Sequence, residues 1–171
     1  MATGGLMGLL HADDRYAGDG VLGMVVQAME EEVDGVYGDL KYIRAGGAVL
    51  RHWKAGSYSI SAISQGWMPP HPTLFLRSQI YARYGKFDTS FRIAADYDFM
   101  LRVLKDDVVK LRYIPETLVE MRMGGVSNSS VGNILQKSAE DLRALQKNRI
   151  GVPLLVVAKK NMRKMGQFFG N

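Results

Sequence analysis

Asp13 and Asp14 stand side by side just after the apolar run Leu6–Leu10, with His11 two residues ahead of the pair. Paired acids at the end of a strand supply hard oxygen ligands for Mg²⁺ or Mn²⁺, and such a cation can hold a diphosphate. The plainer role for the same residues is capping the next helix or facing water. Asp96, in Ala94-Ala95-Asp96-Tyr97-Asp98, opens a helical pattern. There it can accept a proton from a hydroxyl whose oxygen attacks an electrophilic carbon. It can equally cap the helix, and the two roles are compatible because a helix N-terminus keeps a carboxylate ionised. His71 lies in Trp67-Met68-Pro69-Pro70-His71-Pro72-Thr73, whose prolines restrict the backbone and can hold an imidazole toward a metal, a phosphate or an acceptor group. Trp67 in the same string suits either a core position or a stacking platform. Arg122 ahead of Gly124-Gly125 couples a cation to a donor-rich loop able to close over phosphate, or is a surface arginine beside a turn. The glycine pair matches no phosphate-loop motif.

These residues must be positioned by short elements. Leu6–Leu10 reads as a buried strand whose C-terminal end presents the acids, which is where open α/β sheets place ligands. A helix over 19–33, with Leu22, Val25, Val26 and Met29 on one face, then leads to a strand over 35–43. This strand-helix-strand unit predicts a mostly parallel sheet. Residues 44–66 are rich in Gly, Ser and Ala and read as a long excursion with short strand or helix pieces. A strand over 73–77 and a short helix over 78–84, closed by Gly85, follow the prolines. Tyr97, Met100, Leu101 and Leu104 give 96–105 the spacing of an amphipathic helix with Asp96 at its mouth. Residues 111–123 are extended around Pro115, and 124–128 form a loop. A helix over 131–147 is expected to bury Ile134, Leu135, Leu142 and Leu145, and a last one runs over 153–169 with Pro153 near its first turn.

Composition narrows the classes. With 47% hydrophobic and 23% charged residues the chain can bury a core, and disorder is excluded. Cysteine is absent, so disulfides, thiolate zinc sites and thiol nucleophiles are excluded, which fits a reducing compartment. The opening residues lack a basic n-region and their apolar run is broken by glycines, so neither a signal peptide nor a spanning helix is expected. These features predict a cytoplasmic protein. Its net charge of +5 resides in residues 135–171, which carry 8 basic and 2 acidic side chains. In the last predicted helix Leu154, Leu155, Ala158, Met162, Met165 and Phe169 share a face, and Lys159, Lys160, Arg163 and Lys164 occupy the other. That pattern suits an anionic membrane surface, or packing on the chain's own domain with a solvated basic face. Nucleic acid is not an expected partner, because Phe168 and Phe169 are adjacent and not interleaved as base platforms.

Taken in order, the strings Ala2-Thr3-Gly4, His11-Ala12-Asp13-Asp14, Gly35-Val36-Tyr37-Gly38-Asp39-Leu40, Gly66 through Thr73, Tyr84-Gly85-Lys86-Phe87-Asp88, Ala94 through Asp98 and Met121 through Ser127 closely resemble bacterial family-2 glycosyltransferases. The PPHPT and AADYD strings are the most specific. The resemblance implies a partial α/β fold of the GT-A type: a mixed sheet flanked by helices, with C-terminal helices. Residues 1–128 would be its catalytic and acceptor-side part and 129–171 a helical extension. It implies transfer of a sugar, with inversion, from a nucleotide-diphospho-sugar donor to a glycan or lipid-linked acceptor in cell-surface polysaccharide synthesis, with Mg²⁺ or Mn²⁺ as cofactor. Asp96 matches the family's base, Asp14 its metal ligand and Asp13 its nucleotide contact. His71 and Arg122 match positions near the donor diphosphate or acceptor, and Trp67 and Asp98 fall to the acceptor side. The inner face of the cell membrane, met through 153–171, is the expected place of action.

The chain also departs from the family pattern. Nothing before Met1 corresponds to the family's opening nucleotide-binding strands, so the sequence is expected to represent a truncated member. Position 11 is His where the family often has Asn or Asp, and Gly5 stands where an acid is common. The alternative expectation is therefore a catalytically inactive remnant acting as a membrane-peripheral interaction module.

Overall fold

The computed structural model describes residues 4–44, 46–122 and 131–166, with the side chains of 131, 165 and 166 left aside. Its centre is β3 (Gly35–Ile43), an almost wholly buried strand. One edge of β3 runs parallel to β6 (Leu111–Arg122) along its full length. The other edge carries β5 (Phe75–Arg77) at the start and β4 (Val49–Trp53) at the end, both antiparallel. The short strands β1 (Leu6–Gly8) and β2 (Arg15–Tyr16) add antiparallel to β5 and β6. The sheet is mixed, as the resemblance implied, but the mostly parallel sheet read from the strand-helix-strand unit is corrected. β1 does not pair with β3, because the chain after it crosses to hydrogen bond with β6 through Arg15 and Tyr16. Within β6, the register against β3 jumps from Ile114 to Thr117, so Pro115 and Glu116 bulge outward and the missing proline N–H costs no ladder bond.

Each face of the sheet has its own core. On one, Val36, Leu40, Phe75, Leu118 and Val119 meet α1 (Val21–Ala28). This helix is shorter than expected and rolled about its axis: Val21 and Val25 are buried while Leu22 and Val26 face solvent. The other core contains Tyr37, Trp67, Leu76 and the helices α3 (Ser78–Tyr84) and α4 (Ala95–Leu104). Alternation along β3 sends Val36 and Leu40 one way and Tyr37 and Asp39 the other. Gly35 has no side chain for a physical reason: a Cβ there would stand 2.7 Å from the Phe75 carbonyl oxygen across the β3–β5 pair.

The excursion over 44–66 resolves into β4 and α2 (Ile60–Ser64), the latter capped by the Ser59 hydroxyl accepting from Ala62 N–H. α3 and α4 fall where the pattern put them, with Gly85 at φ +80° ending α3. α5 (Val131–Asn148) and α6 (Pro153–Gly166) join the second core through Ala144, Leu145, Ile150 and Val156. Their orientation departs from expectation. Ile134 and Leu135 are exposed, and α5 turns Glu140, Asp141, Ala144, Leu145 and Asn148 inward. On α6 the stripe Leu154, Leu155, Ala158 and Met162 faces solvent, with Leu154 70% and Met162 71% exposed, while Val156 and Lys160 face the domain. Packing against the chain's own domain through that stripe is thereby excluded. Gly124, Gly125 and Phe169 lie outside the described residues. Among the described residues no helix is long and apolar enough to cross a membrane.

Candidate active site

The proline-rich string forms a rigid bracket at the end of α2. Gly66 takes φ +77°, a conformation that only glycine adopts without strain. Trp67 then turns inward, where its Nε1–H donates to the Ala55 carbonyl at 2.7 Å and its ring meets Tyr37 and Tyr58. His71–Thr73 makes one 3₁₀ turn, bolted to β3 by the buried Thr73 hydroxyl. Its Oγ1 lies 2.8 Å from the Gly38 carbonyl and 2.9 Å from that of Pro70, and accepts from Gly38 N–H at 3.4 Å. With the backbone fixed on both sides, His71 has a defined direction.

That direction is toward Asp96. His71 Nδ1 stands 3.0 Å from Asp96 Oδ2, and His71 Nε2 stands 2.9 Å from His11 Nε2. Burial, reinforced by the neighbouring His11, holds the His71 imidazole below its ordinary pKa despite the Asp96 carboxylate. A neutral ring with Nδ1–H donating to Asp96 must accept at Nε2, so His11 Nε2–H is the donor in the second contact. The result is an ordered chain from His11 through His71 to a carboxylate whose side chain is 33% exposed. Asp96 sits in the first turn of α4, beside the positive end of the helix dipole.

The N-terminus of α4 is itself held by a residue that sequence reading passed over. Ala94, the residue before the helix, supplies no side-chain cap. Glu140 of α5 performs that job from outside, its Oε2 accepting from Ile93 N–H at 2.8 Å and Ala94 N–H at 2.9 Å, and its Oε1 from Arg92 N–H at 3.2 Å. Burial disfavours the charge on Glu140, but these donors and the Gln136 amide outweigh it and hold the carboxyl below its ordinary range. A cap supplied 46 residues downstream leaves no local signature such as a capping box.

Asp14 lies close to the two histidines in space. Its Oδ2 is buried without a hydrogen-bond partner among the described residues. Burial raises its pKa, while His11, the Arg122 backbone and His71 draw it down and Asp13 adds to the rise. A carboxylate oxygen enclosed and unpartnered is suited to a cation ligand. Among the described residues no group of three or more His, Asp and Glu is placed to hold a metal by itself. Asp13 is exposed.

In front of Asp96 lies a cavity of about 460 Å³. His71, Trp67, Asp96 and Arg122 line it together, so four of the residues singled out in the sequence converge. Asp98 is not among them. It faces the opposite way, is fully buried, and is held by Lys147 Nζ at 3.0 Å, Arg102 Nε at 3.2 Å and Asn148 Nδ2 at 3.0 Å. The acceptor-side assignment of Asp98 is thus corrected: a carboxylate two residues after Asp96 points about 200° away around a helix and joins α4 to α5. The far wall of the cavity comes from β4, α5 and α6, and includes Arg51, Lys137, Lys160 and Lys164. Lys160, read from the sequence as part of a solvated basic face, has its Nζ 2.8 Å from Asp141 Oδ2 and 3.4 Å above the Tyr97 ring. Its pKa is lowered to about 8, chiefly by burial.

No protein-family model matches the chain. In sequence it is similar to PGL/p-HBAD biosynthesis glycosyltransferases of Mycobacterium bovis (strain BCG / Pasteur 1173P2) and Mycobacterium tuberculosis (strain ATCC 25177 / H37Ra), 26% identical over 172 aligned positions that cover 96% of this chain and 62% of each relative. An uncharacterized glycosyltransferase of Mycobacterium tuberculosis (strain CDC 1551 / Oshkosh) is 32% identical over 117 positions, covering 59% of this chain and 39% of that protein. The chain therefore spans about three-fifths of the length of the first of these relatives. By sequence, this mixed α/β chain is a distant relative of proteins that are named glycosyltransferases.

Proposed function

We propose that this chain is the catalytic and acceptor-side part of an inverting, family-2 glycosyltransferase of the GT-A type, with Asp96 as its general base. The observation that carries the reading is Asp96 itself: a carboxylate at a helix N-terminus, oriented by His71, opening onto a cavity that also contains Arg122 and Trp67. Distant sequence similarity to proteins named glycosyltransferases supports the reading. Asp96 takes the proton of an acceptor hydroxyl as that oxygen attacks the anomeric carbon of a nucleotide-diphospho-sugar from the face opposite the leaving diphosphate. His71 fixes which carboxylate oxygen does so, since its Nδ1–H occupies Oδ2. Trp67, its indole N–H held by the Ala55 carbonyl, packs into the core beneath the cavity and contributes to its lining.

Asp13 and Asp14 serve the donor. The buried, unpartnered Oδ2 of Asp14 fits Mg²⁺ or Mn²⁺, which is bound in phosphate-transfer sites through one or two carboxylates plus the phosphates and not by an all-protein cage. When bound, such a cation would neutralise the charge building on the leaving diphosphate. Arg122 lines the cavity and would add a fixed cation to the same end. The exposed stripe Leu154, Leu155, Ala158 and Met162, flanked by exposed Lys159 and Arg163, would lie on an anionic membrane surface on the cytoplasmic side, bringing the cavity to an acceptor of cell-surface polysaccharide synthesis.

Release of nucleoside diphosphate from a panel of sugar nucleotides, with Mn²⁺ and a lipid-linked acceptor, tests the reading. Turnover is expected with one donor, and Asp96→Asn should lower kcat by about 10²- to 10⁴-fold, the usual contribution of a positioned base. Equal turnover by Asp96→Asn would remove Asp96 from the mechanism. Flotation with phosphatidylglycerol vesicles, lost in Leu155→Ser/Met162→Ser, tests the membrane contact. A protein that floats without turning over any donor would instead be the interaction module.

A further inference from the structure

At the edge of the cavity two imidazoles aim a ring nitrogen at the same point. His11 Nε2 and His71 Nε2 stand 2.9 Å apart, with the ring planes almost perpendicular at 89°. Each ring is carried by a fixed piece of backbone. The turn of His71 is fastened to β3 by the Thr73 hydroxyl, and the loop of His11 is closed by Asp14 N–H donating to the His11 carbonyl at 3.0 Å. Asp96 Oδ2, 3.0 Å from His71 Nδ1, keeps the ring proton on that side, so His71 Nε2 presents its lone pair. A carboxylate on the far nitrogen is also what orients and strengthens an imidazole as a metal ligand. Two nitrogens held by one ion at about 2.0–2.1 Å stand about 2.9 Å apart at a right angle and about 3.3–3.4 Å apart at a tetrahedral one. The pair therefore admits a single ion with at most about half an ångström of opening. His11 is exposed, which gives the ion a route in from solvent.

We propose that His11 Nε2 and His71 Nε2 together bind a divalent transition-metal ion of the imidazole-preferring class, such as Zn²⁺, and that the bound ion restrains Asp96. Ligand type sets the class: neutral imidazole suits Zn²⁺, Co²⁺ and Ni²⁺, whereas Mg²⁺ takes oxygen. This two-nitrogen site is thus distinct from the oxygen that Asp14 offers a hard cation. Among the described residues no third His, Asp or Glu completes the set, so water fills the remaining positions. Asp14 stands close enough to act on both rings and supplies negative charge behind them. On binding, His11 moves its proton from Nε2 to Nδ1 through solvent, so both neutral rings ligate with no net release of protons. The ion then draws electron density through the His71 ring, strengthens the Nδ1–H bond to Asp96 and leaves that carboxylate a poorer base. The ion site rests on the histidine pair alone; only the restraint of the base rests on the glycosyl-transfer reading.

The chain has three histidines, and the third, His52, sits beside Asp39 on β3, so long-range ¹H–¹⁵N spectra of the intact protein report each ring separately. Zn²⁺ should move the Nε2 signals of His11 and His71 together, saturate at one equivalent and leave His52 in place. Mg²⁺ at about a hundredfold higher concentration should move neither. By calorimetry, His11→Gln and His71→Gln should each weaken Zn²⁺ binding by about tenfold or more, as should Asp96→Ala, which releases the His71 ring. Because His11 is exposed, His11→Gln decides the matter should His71→Gln melt early. Zn²⁺ shifts confined to His52, equal affinity for Zn²⁺ and Mg²⁺, or unchanged Zn²⁺ affinity in folded His11→Gln would overturn the site. One equivalent of Zn²⁺ should also slow Mn²⁺-supported turnover in the wild type and not in His11→Gln; undiminished wild-type turnover with the site filled would overturn the restraint. Failure of the transferase reading looks different: no sugar nucleotide is turned over while Zn²⁺ binding keeps its dependence on both histidines.

Discussion

Glu140→Gln is the substitution that most directly tests how α5 builds the active site. The carboxylate accepts three backbone N–H groups at the mouth of α4, and the amide isostere preserves shape while removing the charge. If the amide oxygen takes the Oε2 place, the contacts to Ile93 and Ala94 survive as neutral hydrogen bonds, each weaker by about 1 kcal/mol than the charged form. The amide nitrogen then faces Arg92 N–H as donor against donor, adding about 1 kcal/mol or more, while the Gln136 amide turns over to present its oxygen. The expected loss is about 3 kcal/mol, which for a chain of this size lowers the melting temperature by about 6–12 °C. The pH dependence follows from the sign of the shift. Folding holds the Glu140 carboxyl below its ordinary value of 4.5, so its contribution is complete above that pH and is lost as pH falls through the folded value. Wild type and variant should therefore differ fully at pH 7 and converge in strong acid. Scanning fluorimetry from pH 3 to 8 checks both statements. A shift smaller than about 2 °C at pH 7, or a gap that widens on acidification, would refute the account of Glu140 as the cap of α4.

Asp98→Ala removes a buried carboxylate that meets Lys147, Arg102 and Asn148, and should cost about 3–5 kcal/mol of stability, read by urea unfolding, while any folded fraction keeps its acceptor KM. Gly66→Ala places a Cβ 2.6 Å from the Lys160 backbone nitrogen at φ +77°, so α6 must move away; faster amide exchange across 153–164, with α3 unchanged, is the expected signature. His71→Gln keeps a donor near Asp96 but breaks the link to His11, and should lower kcat by about tenfold without raising the donor KM. Thr73→Val removes the hydroxyl that fastens the His71 turn to Gly38, and should lower stability by about 1–3 kcal/mol and kcat together, measured by unfolding and initial rates.

Local signals were legible wherever the chain's own neighbours dictate the outcome. Gly85 after an apolar helical repeat ended α3, the spacing of Tyr97, Met100, Leu101 and Leu104 marked α4, and the prolines around His71 announced a fixed turn. The sequence singled out His71, Trp67, Asp96 and Arg122 separately, and the fold brings them to the lining of one cavity. Helix facing was read less well. Leu22, Ile134 and Leu135 are apolar and periodic yet exposed, because periodicity reports that a stripe exists and not which side of the helix the domain presents.

Residue types at fixed spacing thus determined the chemistry on offer: a carboxylate at a helix mouth, a histidine in a rigid turn, and acids after a short strand. Only the tertiary structure decided how these meet. It joined His11 to His71 across 60 residues, capped α4 with Glu140, withdrew Asp98 into an ion-pair cluster, and rolled α6 so that Lys160 entered the cavity while its leucines faced out. The physical reason is common to all four. Each depends on contacts between elements far apart in the chain, whose energies are set by what packs opposite and not by the residues on either side.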